Sequence, residues 1–323
     1  MIDISVVIVN YKSWNALREC LEAITTINNS SFFLETIVVD NHSNDGEINR
    51  FKSVFPTVIF IENTGNNGFS NGCNVGAKKA KGDYLLFLNP DTVANENAVF
   101  ELWNTTKNNP NYAIVTCTQY NQKGISYKEI RFFPTLETLF GSFRAIHSIL
   151  NKKQISSNFH HENSIIFPDW VTGAVIFISR NWFEKIEGWN EKYWLYFEDV
   201  DLCKKVIGHG GKVVLLRETS IIHKHGGASR INIKTKALTK TEVLISQHVY
   251  FKEHYSGYKQ LLIQSLLLVS IILEKTFLSI LGLVFFFIPK LRVNIFIFKK
   301  LLEYYLSAIW HKTWTSPRSM LYK

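Results

Sequence analysis

Four clusters of side chains in this 323-residue chain are of types that can do chemistry. The first is Asn89-Pro90-Asp91, which follows the apolar run Leu85 to Leu88. That run reads as a buried strand, and Pro90 cannot continue a ladder, so the chain turns where Asp91 appears. In an open α/β sheet the carboxyl ends of the strands are where ligands bind, and a hard oxygen ligand there suits a divalent cation that carries a diphosphate. Asp91 reads equally well as a cap for the helix expected over Asn95 to Lys107. The second cluster, Glu198-Asp199-Val200-Asp201, sets three carboxylates in four positions. They repel one another unless something uses them, and one with a raised pKa could take up a proton, although acidic residues are also favoured at a helix start. The third is His223-Lys224-His225 after an apolar stretch. Neutral imidazole can ligate a metal, and Lys224 and Arg230 could meet phosphates; a structural histidine is the plainer reading. The fourth is Asn66-Asn67-Gly68-Phe69-Ser70-Asn71-Gly72-Cys73-Asn74-Val75-Gly76. Its glycines either let the backbone approach a ligand at the start of a helix near Ser70 or only permit tight helix packing. It is not a P-loop and lacks the Gly-x-Gly-x-x-Gly opening of a dinucleotide fold.

These clusters need a scaffold. Ile4 to Val9, Thr36 to Val39 and Val58 to Ile61 are near-continuous apolar runs, the pattern of strands covered on both faces. A helical spacing over Trp14 to Ile27 lies between the first two, which predicts parallel β-α-β units. The polar residues that follow these strands (Asn10-Tyr11, Asp40 to Gly46, Glu62-Asn63) then fall along one edge. Further strands are expected at Ala113 to Cys117, Val175 to Ile178 and Lys212 to Leu216. Residues 119–168 carry less pattern, and Arg131-Phe132-Phe133-Pro134 with Leu136 to Leu150 reads as an amphipathic helix or a flexible acceptor-side segment.

At 46% hydrophobic the chain can bury a full core. Cys20, Cys73, Cys117 and Cys203 are too scattered for a disulfide framework or a zinc site, which favours a reducing compartment. Asp3 and the interruptions at Asn10 and Lys12 do not fit a signal peptide, so the expected start is cytosolic. The net charge is +9, and Lys252 to Lys323 holds ten Lys or Arg against three Glu. That basic stretch is also the most apolar one, so an anionic membrane surface is expected as its partner and nucleic acid is not. Leu261 to Leu273 and Thr276 to Ile288 are apolar runs parted by Glu274-Lys275. Each falls short of the roughly 20 residues that cross a bilayer, so helices lying in the interface or a shallow hairpin are expected, with Pro289 ending the second run; a helical dimer interface, a core lid and a spanning hairpin are the alternatives.

Val9-Asn10-Tyr11, Asp40-Asn41-x-Ser43-x-Asp45-Gly46, Asn67-Gly68-Phe69-x-x-Gly72-x-Asn74-x-Gly76 and Asn89-Pro90-Asp91, in this order, resemble the inverting family-2 glycosyltransferases, in their rhamnosyltransferase-like branch. The resemblance covers roughly residues 3 to 230. It implies a glycosyltransferase A-type, Rossmann-like α/β fold with a mostly parallel sheet flanked by helices over 1–230, and leaves 231–323 as a helical, membrane-associating region. It implies Asp199 as catalytic base. It implies a nucleoside-diphosphate sugar bound by Asn10, Tyr11, Asp40, Asn67, Gly68, Asn74 and Asn89, with Gly173, Glu198 and Asp201 near donor sugar and acceptor. Asp91 and His223, with His225 as rival, would hold Mg²⁺ or Mn²⁺. Asn89 stands where the family's Asp-x-Asp motif has its first Asp, which removes one charge from the site. By the same analogy the donor is dTDP-L-rhamnose and the acceptor a polyprenyl-diphosphate-linked saccharide. The setting would be bacterial surface-polysaccharide (O-antigen or similar) synthesis at the cytoplasmic face of the inner membrane. A UDP- or GDP-sugar donor is the alternative, and an inactive nucleotide-sugar-binding scaffold the non-enzymatic one. A nucleotidyltransferase would need a Gly- and Lys-rich loop that residues 10–20 lack.

Overall fold

The computed structural model describes residues 2–136, 163–224 and 232–322. Most of the expected Leu136 to Leu150 segment, and His225 and Arg230, lie outside them. The chain divides into two compact units. The first comprises Met1–Asn66, Asn71–Asn190 and Asp199–Gly227; the second comprises Asn67–Ser70, Glu191–Glu198 and Ala228–Lys323.

Among the described residues the first unit is built on a nine-stranded sheet. Its strands are β1 (Ile4–Asn10), β2 (Leu34–Asp40), β3 (Ile59–Glu62), β4 (Tyr84–Leu88), β5 (Thr92–Val93), β6 (Tyr112–Tyr120), β7 (Ile165–Ile166), β8 (Val175–Ser179) and β9 (Lys212–His223). The order is β3-β2-β1-β4-β8-β6-β9-β5, with β7 paired to β9. Strands β3, β2, β1 and β4 run parallel, as their unbroken apolar pattern predicts. Strand β8 then enters antiparallel between β4 and β6. The sheet is covered by helices α1 (Trp14–Ile24), α2 (Glu47–Val54), α3 (Phe69–Lys79), α4 (Glu96–Asn108), α5 (Arg180–Lys185) and α6 (Glu198–Gly208). Helix α1 buries Trp14, Leu17, Cys20, Leu21 and Ile24, one apolar stripe against the sheet. A Cβ on Gly76 of α3 would lie 2.4 Å from Val7 Cγ1 of β1, and one on Gly72 2.7 Å from Val9 Cγ1. These two glycines therefore serve close packing of α3 on β1.

The second unit gathers α7 (Ile233–His254), α8 (Gly257–Val284) and α9 (Pro289–His311) with two short earlier segments. The two apolar runs expected as separate helices form one: α8 passes through Glu274-Lys275, whose side chains pair with each other. Pro289 opens α9 instead of closing α8, because its fixed φ suits a first helical position. Gly282 faces the carbonyl of Leu291, and Ser279 Oγ donates to Asn294 O at 3.0 Å, so α8 and α9 pack as a close hairpin. Helix α8 is the one helix among the described residues long and apolar enough to cross a membrane, and only 22% of that stretch is buried. The core helix of a soluble protein would be mostly covered; this one is not.

Candidate active site

Two antiparallel pairings bring distant sequence together at the carboxyl end of β4. Strand β8 runs alongside β4 with Leu88 opposite Val175, and Asn89 N–H donates to Ala174 O at 3.0 Å. Asn89-Pro90-Asp91 thus lies beside Thr172-Gly173-Ala174. The turn is held by Thr92 Oγ1 donating to Asn89 O at 2.7 Å. Strand β5 then pairs with the end of β9, Thr92 opposite His223. The result sets Asp91 Oδ1 3.3 Å from His223 Nε2. The helix that follows is capped by Asn95, whose side chain accepts from Ala98 N at 2.8 Å, so Asp91 is not that cap.

His223 is 5% exposed and its Nδ1 lies 3.0 Å from Gln119 Oε1. An amide oxygen only accepts, so Nδ1 meets it as a donor, and in the neutral ring Nε2 then turns a lone pair toward the Asp91 carboxylate. Two acceptors at that separation fit a proton or a metal cation between them. A carboxylate oxygen with an imidazole nitrogen is a donor set that a transition-metal dication such as Mn²⁺ accepts more readily than the harder Mg²⁺, which prefers oxygen alone. Among the described residues no group of three or more His, Cys, Asp or Glu is placed to hold a metal by itself. Lys224 pairs with Glu19.

Asp199 is partly exposed. Its Oδ2 accepts from Gly173 N–H at 3.0 Å and its Oδ1 from Val200 N–H at 2.8 Å. Burial raises its pKa, opposed by these N–H groups and by the Arg131 guanidinium. Arg131 in turn lies over the Trp170 ring, 4.7 Å from its centroid, and Trp170 Nε1 donates to Phe132 O at 2.9 Å. A carboxylate with a raised pKa, held in place by backbone, has the properties of a general base. Asp201, by contrast, is 1% exposed.

At the β1 and β2 ends, Asn10 Nδ2 donates to Asp40 Oδ1 at 2.9 Å, and Ser43 donates to Asp40 through both its hydroxyl and its backbone N–H. Asn63 Nδ2 donates to Asn41 Oδ1 and to Asn71 Oδ1 at 2.9 and 2.8 Å. The three polar strand ends do share one edge, as their sequence positions suggest. Asn10 and Asp40 are closed into this network, while Tyr11 is 41% exposed. Lys12, His42 and Asn44 in the same loops have φ of 53°, 63° and 52°, a concentration of left-handed residues typical of functional loops. Asn74 gives both ends of its amide to the backbone of Trp189, at 2.8 and 3.0 Å. Asn67, Gly68 and Glu198 belong to the second unit. There Phe69 N–H donates to Trp194 O at 2.9 Å, and Tyr196 and Phe197 have φ of 70° and 67° just before Glu198. All four cysteines are buried, and burial pushes Cys20 and Cys117 up to about 12, which removes them as nucleophiles.

Sequence reasoning passed over Gln119, which falls just beyond the expected strand Ala113 to Cys117 and carries no motif; Thr172 and Arg131 stood only inside longer segments, with no role of their own.

The profile described as Glycosyl transferase family 2 matches residues 5–193. Agl10 of Haloferax volcanii, a low-salt glycan biosynthesis hexosyltransferase, is 30% identical over 206 residues, which are 62% of this chain and 60% of that protein. Rhamnosyltransferase WbbL of Escherichia coli K12 is 25% identical over 148 residues, 43% of this chain and 54% of that one. The matches thus span less than two thirds of either relative. Among solved structures, S. aureus TarS 1–349 superposes with a TM-score of 0.52 at 13% identity, covering 83% of this chain and 71% of that one. GalNAc-T7 with UDP, GalNAc and Mn²⁺ superposes with a TM-score of 0.53, again at 13% identity, over 69% of this chain and 43% of that one. The structural likenesses speak for a glycosyltransferase A-type fold, and with the sequence match running from β1 past β8, the chain belongs to glycosyltransferase family 2.

Proposed function

We propose that this chain is an inverting glycosyltransferase that moves a sugar from a nucleoside diphosphate to a saccharide on a polyprenyl diphosphate at a membrane surface. The observation that carries the reading is the arrangement at the β4 end: the Asp91 and His223 pair on one side, and on the other Asp199, a carboxylate of raised pKa. Asp199 accepts the proton of an acceptor hydroxyl as that oxygen bonds to the anomeric carbon. The bond from that carbon to the diphosphate oxygen breaks on the opposite face, and the nucleoside diphosphate leaves with the electron pair. The configuration inverts. Gly173 and Val200 keep Asp199 oriented by donating to its two oxygens. Asp91 and His223 would hold Mg²⁺ or Mn²⁺, which supplies charge neutralisation on the departing diphosphate when bound. Asn10, Asp40 and Tyr11 form the nucleoside side of the site in this reading.

The donor is proposed to be dTDP-L-rhamnose, in keeping with the rhamnosyltransferase names of WbbL and of the N-acetylglucosaminyl-diphospho-decaprenol L-rhamnosyltransferase of Mycobacterium tuberculosis, which is 20% identical over 205 residues. The membrane role rests on the exposed apolar length of α8 and the cations of α9. The test is nucleotide release by protein in lipid bilayers given Mn²⁺, a lipid-linked N-acetylglucosamine acceptor, and in turn dTDP-rhamnose, UDP-glucose, UDP-galactose and GDP-mannose. Acceptor-dependent release from dTDP-rhamnose is expected. Release from a different donor overturns the rhamnose assignment and keeps the reaction. No release from any of the four donors overturns the proposed acceptor first, and the enzymatic reading if other lipid-linked saccharides also fail.

A further inference from the structure

The metal-side pair and the base-side loop are joined by one side chain. Gln119 is the penultimate residue of β6 and is 9% exposed. Its Oε1 lies 3.0 Å from His223 Nδ1, and its Nε2 donates to Thr172 Oγ1 at 3.1 Å. Thr172 is followed directly by Gly173, whose N–H donates to Asp199. From His223 the path through Gln119, Thr172 and Gly173 to Asp199 is therefore continuous through hydrogen bonds and one peptide link, and Asp91 lies 3.3 Å from the other ring nitrogen of His223.

The backbone is built to make this contact. Strands β6 and β9 run parallel, but the register slips between Cys117 opposite Leu216 and Thr118 opposite Ser220, so β9 carries extra residues there. Such a bulge re-aims the side chains beyond it. Past the slip, Gln119 lies opposite Ile221, two residues before His223. Tyr127 confines the ring from another side: its hydroxyl donates to His223 O at 3.1 Å and the two rings lie 5.5 Å apart. A buried carboxamide is costly unless its polar atoms are bonded, and this one is bonded at both ends.

We propose that Gln119 is a positioning residue, whose amide oxygen holds His223 in the Nδ1–H form with Nε2 turned to Asp91, and whose amide nitrogen braces the Thr172-Gly173 backbone that orients Asp199. The inference rests on the reading of Asp91 and His223 as a metal-holding pair, and it adds a residue that the motifs do not contain. Partners of this kind, which take the second ring N–H of a ligating histidine, typically change metal affinity by about 10–100-fold when removed.

The test has two parts, both on the full chain in detergent. The first is the ¹⁵N spectrum of the His223 ring in metal-free protein, assigned by comparison with His223→Gln. The wild type should show the Nδ1–H tautomer, Gln119→Leu should lose that preference, and Gln119→Glu, which keeps an acceptor, should retain it. The second is Mn²⁺ affinity in the presence of dTDP, repeated with UDP, read by electron paramagnetic resonance. Gln119→Leu should weaken Mn²⁺ by about tenfold or more, with Gln119→Glu returning to within about threefold of wild type. Thr172→Val, nearly isosteric, should leave the tautomer intact and lower turnover with little change in Mn²⁺ affinity. An Nε2–H tautomer in the wild type, or equal Mn²⁺ affinity in wild type and Gln119→Leu, overturns the inference and leaves the metal reading standing. No Mn²⁺ binding by the wild type with either nucleotide overturns the metal reading, and the positioning role toward the metal with it.

Discussion

The backbone N–H of Gly173 donates to Asp199 Oδ2 over 3.0 Å, while Val200 N–H takes Oδ1 at 2.8 Å. The glycine ahead of β8 thus holds a carboxylate from the start of α6, 26 positions along the chain. An amide oxygen in place of Asp199 could keep one of these bonds but could not accept a proton. Asp199→Asn is expected to bind nucleotide as the wild type does and to lose about 10²- to 10⁴-fold in turnover. Equilibrium binding of dTDP alongside the transfer rate checks both halves. Turnover within a few-fold of wild type would remove Asp199 from the base role.

The same residue makes a prediction about stability. Burial raises the folded pKa of Asp199 above the roughly 3.9 of an unfolded aspartate. The folded state then binds the proton more tightly than the unfolded state, so stability falls as pH rises between the two values. Wherever Asp199 is ionised the folded chain holds a charge that burial disfavours, and Asp199→Asn removes that penalty. The variant should melt above wild type at pH 7, with the gap closing toward pH 4. Activity should show an acid limb above that of an ordinary carboxylate, since the unprotonated form reacts. A variant that melts below wild type at pH 7 contradicts this account.

Much of the scaffold was legible because burial on both faces leaves an unmistakable run: Ile4 to Val9 and Leu85 to Leu88 each became strands of the sheet. The antiparallel entry of β8 was not, because Val175 to Ile178 is apolar in either direction and the pairing partner is set by topology. The site divided the same way. Asp91, Asp199 and His223 stand in motifs, whereas Gln119 acts through partners 104 and 53 positions away. Local pattern carries no trace of such a contact. The glycine-rich loop read two ways in sequence, and the packing shows the task of two of its glycines: Gly72 and Gly76 make room for β1.

Gly68 has a different task. Its φ is +95°, and a Cβ there would lie 2.3 Å from the carbonyl oxygen of Trp194, within the second unit. Backbone cannot yield as a flexible side chain can. Gly68→Ala is expected to cost about 1–3 kcal/mol of stability, seen as a lower denaturant midpoint, and to loosen the contact of Phe69 N–H with Trp194. An unchanged midpoint would mean that the loop adapts freely.

Two buried ionisable groups of α7 pull stability in opposite directions with pH. Burial pushes Glu242 up to about 7, opposed by its bonds with Ser316 and Arg318, and pushes His248 down to about 4, opposed by Gln264. Raised above its unfolded value, Glu242 stabilises below about pH 4.5 and loses that contribution as pH climbs to about 7. His248, depressed, contributes above about pH 6.5 and loses it as pH falls to about 4. From about pH 4.5 to 6.5 the two slopes, each about 1.4 kcal/mol per pH unit, roughly cancel. In that window these two groups together should add no net slope to the wild-type profile. Glu242→Gln should unmask a rise with pH and His248→Gln a fall, as read by urea midpoints across that window. Parallel profiles in all three proteins would refute the pairing.

The hairpin of α8 and α9 closes through Phe285, Phe286 and Phe287, which pack against one another at 6.0 and 6.2 Å, and Phe286 and Phe287 are about two-thirds exposed. Exposed Leu273, Phe277 and Ile280 extend this apolar surface along α8, and Lys290 and Arg292 flank the turn. Aromatic rings inserted among acyl chains contribute about 1.5–3 kcal/mol each by burial, while each cation near an anionic surface contributes about 1 kcal/mol and is screened by salt. Replacing Phe286 and Phe287 by Ser should therefore reduce partition onto phosphatidylglycerol vesicles by more than about 100-fold at any ionic strength. Replacing Lys290 and Arg292 by Gln should reduce it by about 30-fold in low salt and little in high salt. Sedimentation with vesicles at two salt concentrations separates the two contributions. If the wild type stays in the supernatant and forms a stable dimer that the Phe variants dissolve, the apolar surface is a contact between two copies of the chain and the membrane assignment fails.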